Sequence, residues 1–323
     1  MQVTWKKVAG VAAVVAVVMY GVSVWWSVEP DVLEPEVLNA EDGQMVVGYA
    51  TTSSLINTLD TLLNKPGGWL SNDTTPPSIF MDNMPAFEFG ALEQARDLAL
   101  IMRKEFSRSQ SQSTADNDLL EAHSKLNIDH TSWLVPSAES EYSDAIKLLK
   151  LYRARISDST NRDAQFYARA DNLNEWLKEV QKRLGSMSQR LSASVGQERL
   201  NTDLAGDTSA RQSTPNLANH QVKTSWWEID DVFYESRGSC WALLNFMKAV
   251  EVDFADVLKK KNAEVSLKQI IRELESTQQT VWSPLVLNGT GFGYVANHSL
   301  VMANYVSRAN AALIDLTNLL SQG

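Results

Sequence analysis

LNEWLKEVQKRLGSMSQRLSASV, running from Leu173 to Val195, is the stretch on which the fold turns. Its apolar residues fall at Leu173, Leu177, Val180, Leu184, Met187, Leu191 and Val195, in steps of 4, 3, 4, 3, 4 and 4. Steps of three and four keep side chains on one face of an α-helix, whereas a half-buried strand needs steps of two. The spacing is close to a heptad seam held for about three heptads. It predicts one long amphipathic helix. Its stripe serves either as the core stripe of a helical bundle, the more ordinary use, or as a coiled-coil contact making the chain a homo-oligomer through Leu173–Val195.

The same period recurs on both sides. Leu55, Leu59, Leu62 and Leu63 mark a helix that Lys65-Pro66-Gly67-Gly68 should stop. Trp69 to Pro85 is rich in Pro, Asn and Asp and reads as a loop between helices. Leu92, Ala95, Ala99, Met102 and Phe106 place a helix over Glu88 to about Ser111, and a shorter one follows over about Ala115 to Leu126. After Pro136, Ala145, Leu148, Leu149, Tyr152 and Ile156 mark another.

Residues 196–224 break the pattern. They are polar and hold few large apolar side chains, so they are expected to form a long loop or linker between two helical regions, 45–195 and 225–323. Ser225 and Glu228 then have capping-box spacing, as do Ser266 and Gln269. Leu243, Phe246, Met247, Val250 and Phe254 continue the first of these helices, and Leu300, Val301, Ala311, Ile314 and Leu319 fall on the last. Only Val281 to Leu287 hints at a strand. The fold class expected is all-α.

Before this helical body stands VAGVAAVVAVVMYGVSVWW, Val8 to Trp26, without a charge. A helix of that length spans roughly 28 Å, close to the hydrocarbon thickness of a bilayer. Lys6 and Lys7 precede it, and Glu29, Asp31, Glu34 and Glu36 follow it. The positive-inside rule therefore puts residues 1–7 in the cytoplasm, residues 8–26 across the membrane and the rest outside. Trp5, Trp25 and Trp26 sit where interfacial aromatics belong. A cleaved signal sequence ending near Gly21-Val22-Ser23 is the rival, but its apolar core should be shorter. Residues 27–44, with Pro30, Pro35 and a run of acids, read as an extended acidic stalk.

Composition narrows the partners. Apolar residues make up 44% of the 323, enough for a substantial core, and the formal net charge is −10. All 39 acidic residues lie beyond position 28, so the part after the apolar segment is strongly acidic. That sign argues against nucleic acid as a partner and leaves another envelope protein as the expected one. A single cysteine, Cys240, forbids an intramolecular disulfide and a cysteine-rich zinc site.

Three stretches together carry a resemblance: Gly68-Trp69-Leu70-Ser71-Asn72-Asp73 with Met81-Asp82-Asn83; Glu228-Ile229-Asp230-Asp231-Val232-Phe233-Tyr234-Glu235; and Asn288-Gly289-Thr290-Gly291-Phe292-Gly293 running into Ala296-Asn297-His298-Ser299. With them the chain resembles, over essentially its whole length, a family of uncharacterised proteobacterial inner-membrane proteins known only as a domain of unknown function. The resemblance implies an inner-membrane, periplasm-facing protein and implies no chemistry.

The candidate binding residues are Gly289, Gly291, Gly293, Asn297 and His298, with Glu228 and Glu235. Glycines before a helix let backbone amides crowd an anion. Yet the spacing is neither a P-loop nor GxGxxG, so a tight structural turn, with at least one glycine at positive φ, is the plainer reading. Glu235-Ser236 is similar to the Glu-Ser pair of lytic transglycosylases, in which a glutamate is the general acid, but the small-residue and Gly-Leu-Met-Gln pattern flanking that pair is absent. His123 and His130 are seven apart, unsuited to a helical metal site, and no GxSxG elbow occurs. No catalytic set, metal site or cofactor is expected. The expectation is a membrane-anchored helical binding or scaffolding protein; the alternative is a cell-wall glycan-cleaving enzyme using Glu235.

Overall fold

A computed structural model of the protein describes residues 5–40, 43, 45–109, 114–158, 163–200, 219–283 and 285–322. The helices, in chain order, are α1 (Trp5–Trp26), α2 (Tyr49–Asn64), α3 (Asn83–Ile101), α4 (Asn117–Leu126), α5 (Ala138–Ser157), α6 (Ala170–Ser192), α7 (Ile229–Asp253), α8 (Ala255–Lys260), α9 (Glu264–Thr277) and α10 (His298–Ser321). The protein is helical as the periodicity predicts.

The heptad-like stripe of α6 is a core stripe. Leu173, Leu177, Val180, Leu184, Met187 and Leu191 are all buried within the chain, which leaves no apolar seam there for a second copy. Val195 falls in a 3-10 turn past the helix end. The partner of α6 is α10. Gln181 donates to the Leu313 carbonyl and to Thr317 Oγ1, while Ser188 meets Ser307, so the two helices run antiparallel.

The tightest contact is between α3 and α7. Gly90 lies against the Glu235 carbonyl, and Gly238 lies against the Phe87 carbonyl, so a Cβ at either position would strike the other helix's backbone. Phe87 stacks near Trp241 and Phe106 near Phe254, so α3 and α7 run parallel, their N-termini at one end of the bundle. At the other end Phe106, Phe166 and Phe254 form a ring cluster with centroids 5.1–5.9 Å apart. Helices from both sides of residues 196–224 thus share one core.

Some sequence expectations need correction. Helix α3 starts five residues earlier than expected, because Asp82 caps it by accepting from Asn83 N, and it ends in a π-turn over Met102–Phe106. Neither expected capping box forms. Ser225 precedes a 3-10 turn and makes no side-chain cap, while Ser266 lies inside α9, which begins at Glu264. The described residues of 281–287 form no strand. Strands occur instead at the ends of the polar segment: β1 (Gln197–Leu200) pairs antiparallel with β2 (Asn219–Val222). Residues 201–218, the bulk of the expected loop, lie outside the described residues.

The largest correction concerns residues 27–40. They are extended, as their prolines suggest, but they lie on the body as a strap. Arg237 of α7 binds Glu29, Trp241 Nε1 donates to the Asp31 carbonyl at 3.0 Å, and Asn245 Oδ1 accepts from Leu33 N at 3.0 Å. Lys248 then reaches Glu34, and Arg153 reaches Glu36. The strap therefore climbs α7 from its N-terminal half towards its C-terminus. Glu29, Glu34 and Glu36, three of the acids that suggested a free stalk, have partners about 120 to 210 residues away in sequence, which local pattern cannot reveal.

Candidate functional site

Asn288 and Asn297 face each other across an isolated antiparallel bridge that closes a loop ahead of α10. Gly289 N donates to the Ala296 carbonyl at 3.0 Å, and His298 N donates to the Leu287 carbonyl at 2.9 Å. Asn297 holds the base of the loop. Its Nδ2 donates to Asn288 Oδ1 (2.9 Å) and the Gly289 carbonyl (2.8 Å), and its Oδ1 accepts from Leu300 N (2.8 Å), capping α10.

The glycines serve close approach, not positive φ. None of Gly289, Gly291 and Gly293 has the left-handed conformation expected of such a turn. A Cβ on Gly289 would run into the Val295 carbonyl, and one on Gly293 into the Thr290 hydroxyl, whereas Gly291 has room. Gly289 N and Gly293 N both donate within the loop, so they do not converge on an anion. The loop presents its aromatic tips outward instead: Phe292 and Tyr294 are fully exposed.

His298 lines a cavity of about 310 Å³ with Phe233, Arg237, Trp282, Met302 and Tyr305. Its ring lies 6.3 Å from Phe233, and its Nδ1 accepts from Leu287 N at 3.2 Å. That bond assigns the proton of the neutral imidazole to Nε2. Burial holds the His298 pKa below the ordinary histidine value. Arg237 is buried at the cavity wall and fully engaged. Besides Glu29 it donates to the carbonyls of Thr277, Gln278 and Gln279, acceptors at and just past the C-terminal end of α9 that the helix itself leaves unpaired.

The acidic candidates lie elsewhere. Glu228 is exposed just before α7, in an acidic group with Asp230 and Asp231. Burial, followed by the charges of Asp82, Asp230, Glu228 and Glu235, pushes the Asp231 carboxyl up to about 6. Glu235, two turns on, is clamped by Arg190, whose NH2 lies 2.6 Å from Oε2 while NH1 binds Oε1. It borders a second cleft of about 270 Å³, where Arg183 bridges Glu93 and Asp97 at 2.9 and 2.8 Å. A glycosidase acid must present a protonated oxygen to its substrate. Here both oxygens already accept from a guanidinium.

The structure thus brings Asn297, His298 and the glycines together and sets Glu235 apart from them. The remaining singled-out groups are built into the fold. Cys240 is buried, its thiol pushed up to about 12 by burial. His130 packs on Phe89 with centroids 4.6 Å apart, and the His123 ring lies beside Asn127.

Sequence reasoning missed the buried polar groups that fix the loops. Glu88 accepts from Lys65 Nζ at 2.6 Å, from Ser71 Oγ, and from the amides of Leu70 and Ser71. Asp253 accepts from Gly48 N, Thr51 N and Thr51 Oγ1, capping α2 from a helix 200 residues away because Gly48 has no side chain to do so. Burial raises the pKa of both carboxyls. A Lys or Glu adjoining a loop carries no local sign of such burial.

A family model described as an uncharacterised protein conserved in bacteria, DUF2333, matches residues 1–323. No curated protein and no solved structure matches the chain at a significant level.

Proposed function

The chain belongs to DUF2333, a family of uncharacterised bacterial proteins, and on that premise we propose that it is a membrane-tethered envelope protein that binds or positions another protein in the periplasm. The observation that carries the tether is α1: 22 residues with no charge after Lys7 and none of them buried. A helix apolar all round needs an apolar surrounding, and the other described residues do not supply one. Lys6 and Lys7 before it and the acids after it orient it with the N-terminus inside an inner membrane and the bulk outside. A signal sequence has the same position in a chain. The length of the apolar run and the tryptophans at its end favour a retained anchor.

Binding is favoured over catalysis because the polar groups best placed for chemistry hold the fold together. Glu235 is tied to Arg190, Glu88 to Lys65, and Arg237 to Glu29 and the end of α9. Crosslinking in living cells, followed by identification of the captured proteins, tests this reading; recovery of no envelope protein would defeat it. The glycan-cleaving alternative has one supporting feature, the charged cleft beside Glu235. Clearing of a peptidoglycan gel by the wild type but not by Glu235→Gln would establish that alternative.

A further inference from the structure

Among the described residues, six of the seven exposed aromatic side chains outside α1 gather at the end of the body from which α1 leaves; the seventh, Trp133, lies in the loop between α4 and α5. The strap sets this geometry. Glu29 pairs with Arg237, which stands eight residues, about 12 Å, into α7. A turn joins Glu29 to Trp26: Ser27 N donates to the Ser23 carbonyl and Val28 N to the Trp25 carbonyl. Trp26 packs on Gly67, just past the C-terminal end of α2, against the core; because Asp253 at the C-terminal end of α7 caps the start of α2, this places Trp26 towards the N-terminal end of α7.

Three further segments reach that end. Trp226 and Trp227 form the 3-10 turn that enters α7. Phe80 stands just before Asp82, whose charge acts on Asp231 in the first turn of α7. Trp282 shares the His298 cavity with Phe233, one turn into α7, and the loop closed by Asn288 and Asn297 carries Phe292 and Tyr294. Trp226, Trp227 and Phe80 are each more than two-thirds exposed, and Trp282, Phe292 and Tyr294 are nearly or fully so.

We infer that these aromatic loops rest in the interfacial layer of the same membrane that α1 spans, so that the body lies against the bilayer. The inference rests on the tether proposed above. Scattered single apolar residues on a surface need no explanation, but a set surrounding the exit of an apolar helix does. Tryptophan, tyrosine and phenylalanine favour the headgroup boundary, where an apolar ring and a polar edge are both accommodated. The docked strap leaves no slack that would lift the body away. Asp82, Glu228, Asp230 and Asp231 at this end make a zwitterionic surface the fitting one and an anionic surface a poorer one.

Nitroxide labels on the full-length chain in zwitterionic vesicles test the inference. They would be placed singly through Gly291→Cys, Leu285→Cys, Val265→Cys and Val14→Cys; the native Cys240 is buried. Gly291 has room for a side chain, Leu285 and Val265 are exposed, and Val265 lies at the opposite end of α9 from the Trp282 cavity. Labels at 285 and 291 should favour dissolved oxygen over an aqueous nickel chelate, as Val14 does, and 265 should favour nickel. Replacing Trp282, Phe292 and Tyr294 by serine should move the 291 label towards the behaviour of 265. If 285 and 291 match 265 while 14 reads as lipid, this inference fails and the tether stands. Water exposure at 14 defeats both, and shielding of 291 from both reagents overturns the inference in favour of a protein contact.

Discussion

Arg237 on α7 donates through Nε to both carboxylate oxygens of Glu29 at 2.7 Å, across 208 residues of sequence. The same guanidinium closes the C-terminal end of α9 through three carbonyls. One buried side chain therefore ties the strap following the apolar helix to two helices of the body. Removing Arg237 leaves Glu29 and those carbonyls without their donor, whereas neutralising Glu29 removes a single partner. Arg237→Ala should cost about 3 kcal/mol and Glu29→Gln about 1–2 kcal/mol, read from unfolding of the full chain in detergent. In Arg237→Ala, proteolysis should cut the strap between residues 27 and 40 before the body. Equal, negligible effects of the two changes would mean that the strap is not docked.

The α3–α7 contact makes a sharper prediction. Gly90→Ala and Gly238→Ala each drive a methyl into the facing carbonyl and should destabilise by about 2–3 kcal/mol. Gly291→Ala makes an ordinary van der Waals contact with Leu300 at a compatible backbone angle and should fall within about 0.5 kcal/mol of the wild type. Thermal melts of the three variants check the ranking. A large loss at Gly291 would restore the strained-turn reading of that loop.

How far the sequence revealed this follows from the range of each interaction. The stripe of α6 was legible because neighbours three and four apart define it. The stop of α2 at Lys65 was legible for the same reason, as local backbone chemistry. The docking of the strap, the capping of α2 by Asp253 and the closeness of Gly90 to Gly238 were not. Each joins residues far apart in the chain, and a glycine within a helical pattern gives no sign of what faces it. At the candidate site, sequence proximity alone groups Asn297, His298 and the glycines, whereas no local pattern places Arg237 beside them, because its partners lie 40 and 208 residues away.

Asp231 supplies a pH dependence. Its carboxyl is raised from 3.8 to about 6 in the folded protein, and Oδ1 has no hydrogen-bond partner among the described residues. The folded state then binds the proton more tightly than the unfolded state, so stability falls as pH rises from about 4 to 6 and the full cost is present above that. Asp231→Asn should raise stability at pH 7.5 and bring no gain near pH 3.5. A two-unit shift corresponds to roughly 3 kcal/mol unscreened, but solvent reaches this side chain, so about 1 kcal/mol is the expected gain. Melts across pH check it; an unchanged or lowered melting temperature at pH 7.5 would show that the helix N-terminus outweighs the neighbouring acids.

His298 contributes with the opposite slope. Its pKa is lowered by burial, so the unfolded chain takes up the proton first and stability is lost as pH falls below about 6.5. His298→Gln should flatten the melting profile between pH 5 and 7 relative to the wild type; an unchanged slope there would show that the imidazole is not held neutral.

The most direct test of the tethered, outward-facing protein is protease accessibility in intact spheroplasts, with a tag after Gly323 and detection on carbonate-washed membranes. Before digestion, the account predicts a full-length chain that stays in the washed membrane. After protease is added outside, the tag should be lost while a fragment containing α1 remains embedded. A shortened chain released by the wash, or a tag that survives until the membrane is broken, would contradict it.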